Sequence, residues 1–326
     1  MSAGPFRERR RLPRLRAPEP AALAERFFDP GLPFVIEGFH HLGHLARWMG
    51  LLESSRAVVP CVVARDLNVA KISDADRPPI ARAAELPEVR EFSVDLPLAE
   101  AWARIRRPDG HQPLLVRGEC LYVIEGLVPE DCPFPPQRDS TALAARLYSD
   151  PRTPLVIVNM PGMINRNHAH VHEVLLHQVH GRKKVRLFSP ADGSRLYANA
   201  DRRSQVPDFD RVDLGRFPQV AETTAHETVL EPGDVIFLPS YWWHEIRVDE
   251  PAVSVAYTIE AGAWARRMFA LHHALAEALA PLETGDAEAT GRGAGAAALV
   301  TATTAALLGE EGLAPTVAAL RYEYTD

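Results

Sequence analysis

The chain is poor in cysteine: three in 326 residues, at Cys61, Cys120 and Cys132. An odd, sparse count with no paired ligand spacing excludes a disulfide framework and a cysteine zinc site, and it suits a reducing compartment. Long apolar runs are also lacking. The Ala-rich stretch near residue 300 is short and interrupted by threonines, so no membrane span is expected. The N-terminus is arginine-rich but no apolar run follows it, so no signal peptide is read and a cytoplasmic location is expected. Positive charge is in deficit: the formal net charge of −7 argues against a general nucleic-acid binder.

What is present divides into three parts. Residues 1–20 hold Arg7, Arg9, Arg10, Arg11, Arg14 and Arg16 among prolines and read as a solvated, disordered arm, the one feature that could serve RNA or an acidic peptide. Residues 21–262 alternate short β-branched runs with turn residues. The expected strands include 33–38, 58–64, 155–159, 183–188, 235–238, 244–248 and 252–259, and 121–124 is a short apolar run. Helices are expected from Pro20 to Phe28, around 42–52 and around 96–105, and residues 66–92 and 189–220 read as mostly loop. Many short strands between turns predict a mainly β fold, a barrel or double-sheet roll. Residues 263–326 differ: apolar stripes at Trp264, Met268, Leu271, Leu275 and Leu279, and again over 296–308, predict a helical appendage that could pair with a second copy.

Two stretches carry the chemistry. Asn167 to Lys184 contains His168, His170, His172, His177 and His180. On a strand His168, His170 and His172 project to one side, and the first two can face a single ion. The second stretch, Pro232 to His244, follows a Pro-Gly turn with a short apolar run and ends on a third imidazole. His168, His170 and His244 are therefore the expected metal ligands, three neutral nitrogens that leave coordination positions open. His180-Gly181 reads as a hairpin into the next strand, where Lys183 is either a solvated hairpin charge or a fixed cation for a buried carboxylate.

The patterns Gly162-x(5)-His168-x-His170 and Gly233-x(5)-Pro239-x(4)-His244 resemble the two motifs of the cupin fold. More narrowly, HAHVHEVLLHQVHGRKKVRLFSP and PGDVIFLPSYWWHEI resemble the JmjC-type, cupin-8-like Fe(II)/2-oxoglutarate oxygenases. The resemblance implies a double-stranded β-helix with its metal core at about 150–262, and hydroxylation of an amino-acid side chain in a protein, peptide or small metabolite. It also implies a dimer through the C-terminal helices. It places His168 and His244 on the first and last metal ligands, and Lys183 on the lysine that pairs with the distal carboxylate of 2-oxoglutarate. Tyr122, Asn165 and Thr258 fall where the co-substrate pocket is lined.

The family's second ligand is a carboxylate, and His170 stands in its place. Three readings follow: a true three-His site, Glu173 swinging in through a bulge, or a catalytically silent site. Function accordingly divides between an Fe(II)/2-oxoglutarate oxygenase, a three-His dioxygenase that uses no keto acid, and a non-catalytic cupin binding protein.

Overall fold

Runs of valine, isoleucine, leucine and phenylalanine between Pro and Gly turns build two facing sheets in the computed structural model, which describes residues 4–16, 18–40, 42–69, 77–126, 154–199 and 202–259. The chain opens with β1 (Glu8–Arg11) and β2 (Arg14–Leu15). Helix α1 (Pro20–Leu23) runs on as a π-helical turn over Ala24–Phe28. Then come β3 (Phe34–Ile36), α2 (Leu42–Ser54), β4 (Val58–Ala64), β5 (Asn68–Val69), β6 (Glu91–Pro97) and α3 (Leu98–Arg106). The next strands are β7 (Cys120–Gly126), β8 (Leu155–Asn159), β9 (Ile164–Ala169), β10 (Glu173–His180) and β11 (Lys183–Phe188). The last are β12 (Thr224–Leu230), β13 (Val235–Leu238), β14 (Trp243–Val248) and β15 (Ala252–Ile259).

A six-stranded sheet has the order β1-β12-β11-β14-β9-β5, and a nine-stranded sheet the order β2-β3-β13-β10-β15-β8-β7-β4-β6. From β8 to β11 every connection passes from one sheet to the other, as do those from β12 to β15. This is the double-stranded β-helix expected from the spacing of strands and turns. The outer side of the large sheet is covered by helices. The Trp102 ring of α3 meets His180 edge-on at 5.6 Å, and Phe28 meets Phe237 at 4.7 Å. The outer side of the small sheet has its own apolar layer, in which Phe6, Leu196, Phe209 and Phe217 cover Ala169, Phe188 and Trp243.

Several expectations are corrected. The basic arm is ordered where it is described: β1 runs parallel to β12, and β2 parallel to β3. Its arginines find acidic partners, Arg14 at 2.5 Å from Glu37 and 2.7 Å from Asp234, so composition alone misjudged a segment that completes two sheet edges. His180-Gly181 is not a hairpin. It carries the chain from β10 in the large sheet to β11 in the small one. Gly181 has φ 65°, and a Cβ there would collide with the Pro251 carbonyl oxygen. Within 66–92 the short β5 forms and β6 begins at Glu91. The appendage expected over 263–326, with its dimer, lies outside the described residues. No helix among the described residues is long and apolar enough to cross a membrane.

Candidate metal centre

Register on the small sheet fixes which side chains look into the roll. Across β11, β14 and β9, Leu187 pairs with His244 and His244 with His168. One step along, Val185 pairs with Ile246 and Ile246 with Asn165, and a step further Lys183 pairs with Val248. The count between His244 and Ile246 is two residues but between His168 and Asn165 it is three, so a bulge restores both to the inner face. His168, His244, Asn165 and Lys183 therefore share one surface with Val185, Leu187, Ile246 and Val248, which belong to the central apolar cluster.

The histidine stretch is not one strand. β9 ends at Ala169 and β10 begins at Glu173, so His170 to His172 form the bend that crosses between sheets. His170 reaches the ligand group from this bend, held by its carbonyl, which accepts the Tyr241 backbone N–H at 2.7 Å. His172 is half-buried in the same bend and is not on the ligand strand. Glu173 is fully buried and pairs with Ile259, on the side of β10 where His177 meets Phe39 and His40. The bulge that would have swung Glu173 toward the ligands does not form.

His168, His170 and His244 each place a ring nitrogen within 4.8 Å of the others. The ring centroids lie 4.3 Å apart for His168 and His244, and 4.8 Å for each pair that includes His170. Tautomers follow from the backbone. Nδ1 of His168 lies 2.8 Å from the Arg166 carbonyl, and Nδ1 of His244 lies 3.1 Å from that of Trp242. A carbonyl only accepts, so both Nδ1 atoms carry the proton and both Nε2 lone pairs point at the shared space. This is the orientation a ligating imidazole needs. His244 is buried, His168 half-buried and His170 exposed, so the group lies at an open end of the roll. Three convergent neutral nitrogens fit a divalent transition-metal ion.

The other expected residues divide between two ends. Lys183 is only 1 % exposed, which removes the reading as a solvated hairpin charge. It lies four residues along β11 from Leu187, about 13 Å from the ligand row. Asn165 lies between, and its buried Oδ1 has no hydrogen-bond partner among the described residues. Tyr122 is fully buried on β7, where the register aligns it with Asn159 and Val62. Its hydroxyl donates to Glu91 Oε2 at 3.1 Å, and Arg77 approaches the same oxygen at 3.4 Å. Burial, then the neighbouring Glu91, pushes the Tyr122 phenol far up, so it stays a neutral donor. Thr258 is half-buried and pairs with Val174 near the bend that carries His170. Along β15 it stands six residues, about 20 Å, from Ala252 in the Tyr122 row, so Thr258 and Tyr122 do not meet.

The Arg77–Glu91 pair beneath Tyr122 was not singled out from the sequence, because both residues sit in the stretch read as loop. Arg203, the bridge partner of His168, was missed too: it lies outside both motifs, in the stretch read as loop.

A double-stranded β-helix with three imidazoles converging at its open end defines a jelly roll with a candidate metal site. The family model of the cupin-like domain matches residues 20–259, most of the chain, and the protein belongs to that JmjC-type, cupin-8 family. Among curated proteins it is similar to tRNA wybutosine-synthesizing protein 5 of Danio rerio, 40% identical over 87 residues, 27% of this chain and 26% of the relative. It is also similar to the Homo sapiens protein of the same name, 38% identical over 98 residues, covering 30% and 31%. Lysine-specific demethylase 8 of Xenopus tropicalis is 33% identical over 100 residues, covering 29% and 22%. The chain thus matches between about a fifth and a third of the length of these relatives.

Proposed function

We propose that the protein is an Fe(II)- and 2-oxoglutarate-dependent oxygenase that hydroxylates an amino-acid side chain in a protein, peptide or small metabolite. The observation that carries this reading is Lys183: a buried cation on the inner face, four residues along β11 from the residue paired with His244. A buried ammonium on this face is a fixed cation that a carboxylate delivered by a ligand would suit. A five-carbon keto diacid suits the interval between Lys183 and the ligand row. One carboxylate would meet Lys183, with the Asn165 amide between it and the imidazoles, and the keto-acid end would face the imidazoles. Iron held by His168, His170 and His244 would supply keto-acid chelation and dioxygen activation. The chain's own residues do the rest. The carbonyls of Arg166 and Trp242 hold the imidazole tautomers, and Val185, Leu187, Ile246 and Val248 exclude water from the site. The names of the relatives, a wybutosine-synthesizing protein and a demethylase, are compatible with an oxygenase.

Aerobic incubation with Fe(II) and labelled 2-oxoglutarate tests the proposal. Succinate should form, slowly without substrate and faster with the right one. No succinate across a broad peptide and metabolite panel, together with no keto-acid binding, would remove the reading.

A second reading is favoured by one observation, His170 in the place of the usual carboxylate. It is a three-His dioxygenase that uses no keto acid. Lys183→Ala separates the two, since 2-oxoglutarate binding should weaken in the first case and be absent throughout in the second.

A further inference from the structure

The crossover that delivers Lys183 is two residues long, Gly181 and Arg182, between the end of β10 and the start of β11. Its outer side is held weakly. Arg182 is exposed and reaches Glu250 at 2.9 Å, and ion pairs of this kind contribute little in water. Its inner side is held by Gln178, a fully buried polar residue near the end of β10. The direction of Gln178 follows from the pairing. Phe237, the β13 partner of Leu175, packs on Phe28 outside the large sheet. By alternation Leu176 and Gln178 point the other way, into the roll.

Gln178 lies opposite Ser254 on β15, and the register then slips, so that His180 meets Val253. At this bulge the ladder is interrupted, and the Gln178 side chain takes its place. Nε2 donates to the His180 carbonyl at 2.7 Å and to the Gly181 carbonyl at 2.9 Å. Oε1 accepts the Ser254 hydroxyl at 2.7 Å. A carbonyl only accepts, so the amide has one orientation, with both N–H bonds turned to the crossover and the oxygen to β15. The main chain of Gln178 is fixed in turn by the start of β13. The Gly233 N–H donates to the Gln178 carbonyl at 2.8 Å, and the Gln178 N–H to the Asp234 carbonyl at 2.9 Å. A buried amide is costly unless it is bonded. A methionine of similar size would fill the same space; what the amide adds is direction, because it ties the crossover to two neighbouring strands.

We infer that Gln178 is a positioning residue for Lys183: by holding the His180 and Gly181 carbonyls from inside the roll, it sets where the ammonium stands relative to the imidazoles. The effect on Lys183 follows from the geometry of β10 and the crossover. Its consequence for a bound keto diacid rests on the oxygenase reading.

The chain has three lysines, Lys71, Lys183 and Lys184, so the full-length protein grown with isotope-labelled lysine gives three side-chain signals. The Lys183 signal is assigned by its loss in Lys183→Arg. In zinc-loaded Gln178→Met it should move, while that of Lys184, which is exposed, holds. In the Mn(II)-loaded protein without oxygen, Gln178→Met should bind 2-oxoglutarate at least about tenfold more weakly, with Mn(II) affinity within about twofold of wild type. Ser254→Ala keeps both Gln178 N–H bonds and should weaken 2-oxoglutarate by about two- to fourfold. A Lys183 signal that stays in place in Gln178→Met, with 2-oxoglutarate affinity unchanged, overturns the inference. So does a loss of Mn(II) binding as large as the loss of keto-acid binding, which would make Gln178 a residue of the fold at large. If Gln178→Met does not fold, Ser254→Ala decides: a moved Lys183 signal with weaker keto-acid binding supports the inference, and wild-type behaviour in both overturns it. A Lys183 signal that moves in Gln178→Met, in a protein whose wild type never binds 2-oxoglutarate, would remove the oxygenase reading and leave the positioning role standing.

Discussion

Nε2 of His168 lies 3.0 Å from Nε2 of His170. His168 already spends its proton on the Arg166 carbonyl, so its Nε2 is a lone pair. Either His170 donates a proton across this gap or a cation sits between two lone pairs. A metal ion resolves the contact while also engaging His244. His168→Ala and His244→Ala should each lower the affinity for Mn(II) or Co(II) by at least about 100-fold, and His170→Ala by less, because the exposed bend can be replaced by water. Calorimetric titration of the metal-stripped protein checks the order. Equal binding in all three variants would mean that the imidazoles converge for another reason.

The turn between β10 and β11 is expected to be intolerant. Gly181→Ala puts a Cβ against the Pro251 carbonyl in a left-handed backbone. It should cost about 2–4 kcal/mol and lower the midpoint in urea without altering the slope. Because Lys183 follows two residues later, keto-acid binding should weaken in step with stability.

Arg186 holds the outer side of the small sheet together. It meets Asp210 at 2.6 Å, Glu227 at 2.7 Å and Glu245 at 3.2 Å, and Glu245 is only 1 % exposed. Burial already pushes the Glu245 carboxyl up, against the pull of Arg247 and Arg186. Arg186→Ala should destabilise by about 3–5 kcal/mol, through a buried carboxylate left with less compensation. Replacing Arg186 and Glu245 together by Met and Leu should recover much of that loss, measured by thermal unfolding.

Acid sensitivity has a defined sign. His226 occupies the inner-face row beside Leu187, and burial first, then Arg10, lowers its imidazole from 6.5 to about 4. The folded protein refuses a proton that the unfolded chain accepts. The contribution of His226 is therefore fully present above pH 6.5 and is lost as pH falls through about 4, amounting to about 3 kcal/mol. His177 moves the same way, through burial first and then His40. His226→Gln should flatten the fall of Tm between pH 6.5 and 4, leaving the part due to His177.

Local signals were enough for much of this fold. The Pro-Gly turn at Pro232-Gly233, with Gly233 at φ 100°, and the alternation of 252–259 marked strands that exist. Lys183 was read as either a solvated hairpin charge or a fixed cation, and its burial removes the first. The errors have one cause: sheet membership is a long-range property. Nothing near His180-Gly181 says that the next strand joins the other sheet. Likewise, nothing near Arg9 says that β12 waits for it more than two hundred residues on. His170 does lie with His168 and His244, but a bend and not the expected strand alternation brings it there.

Binding of 2-oxoglutarate to the Mn(II)-loaded protein without oxygen, measured by calorimetry for wild type and Lys183→Ala, is the most direct test of a keto diacid bridging Lys183 and the imidazoles. One equivalent should bind to wild type only when metal is present, and Lys183→Ala should bind at least about tenfold more weakly, the loss of one charge-assisted contact. No heat in wild type, or equal affinity in the variant, would contradict it.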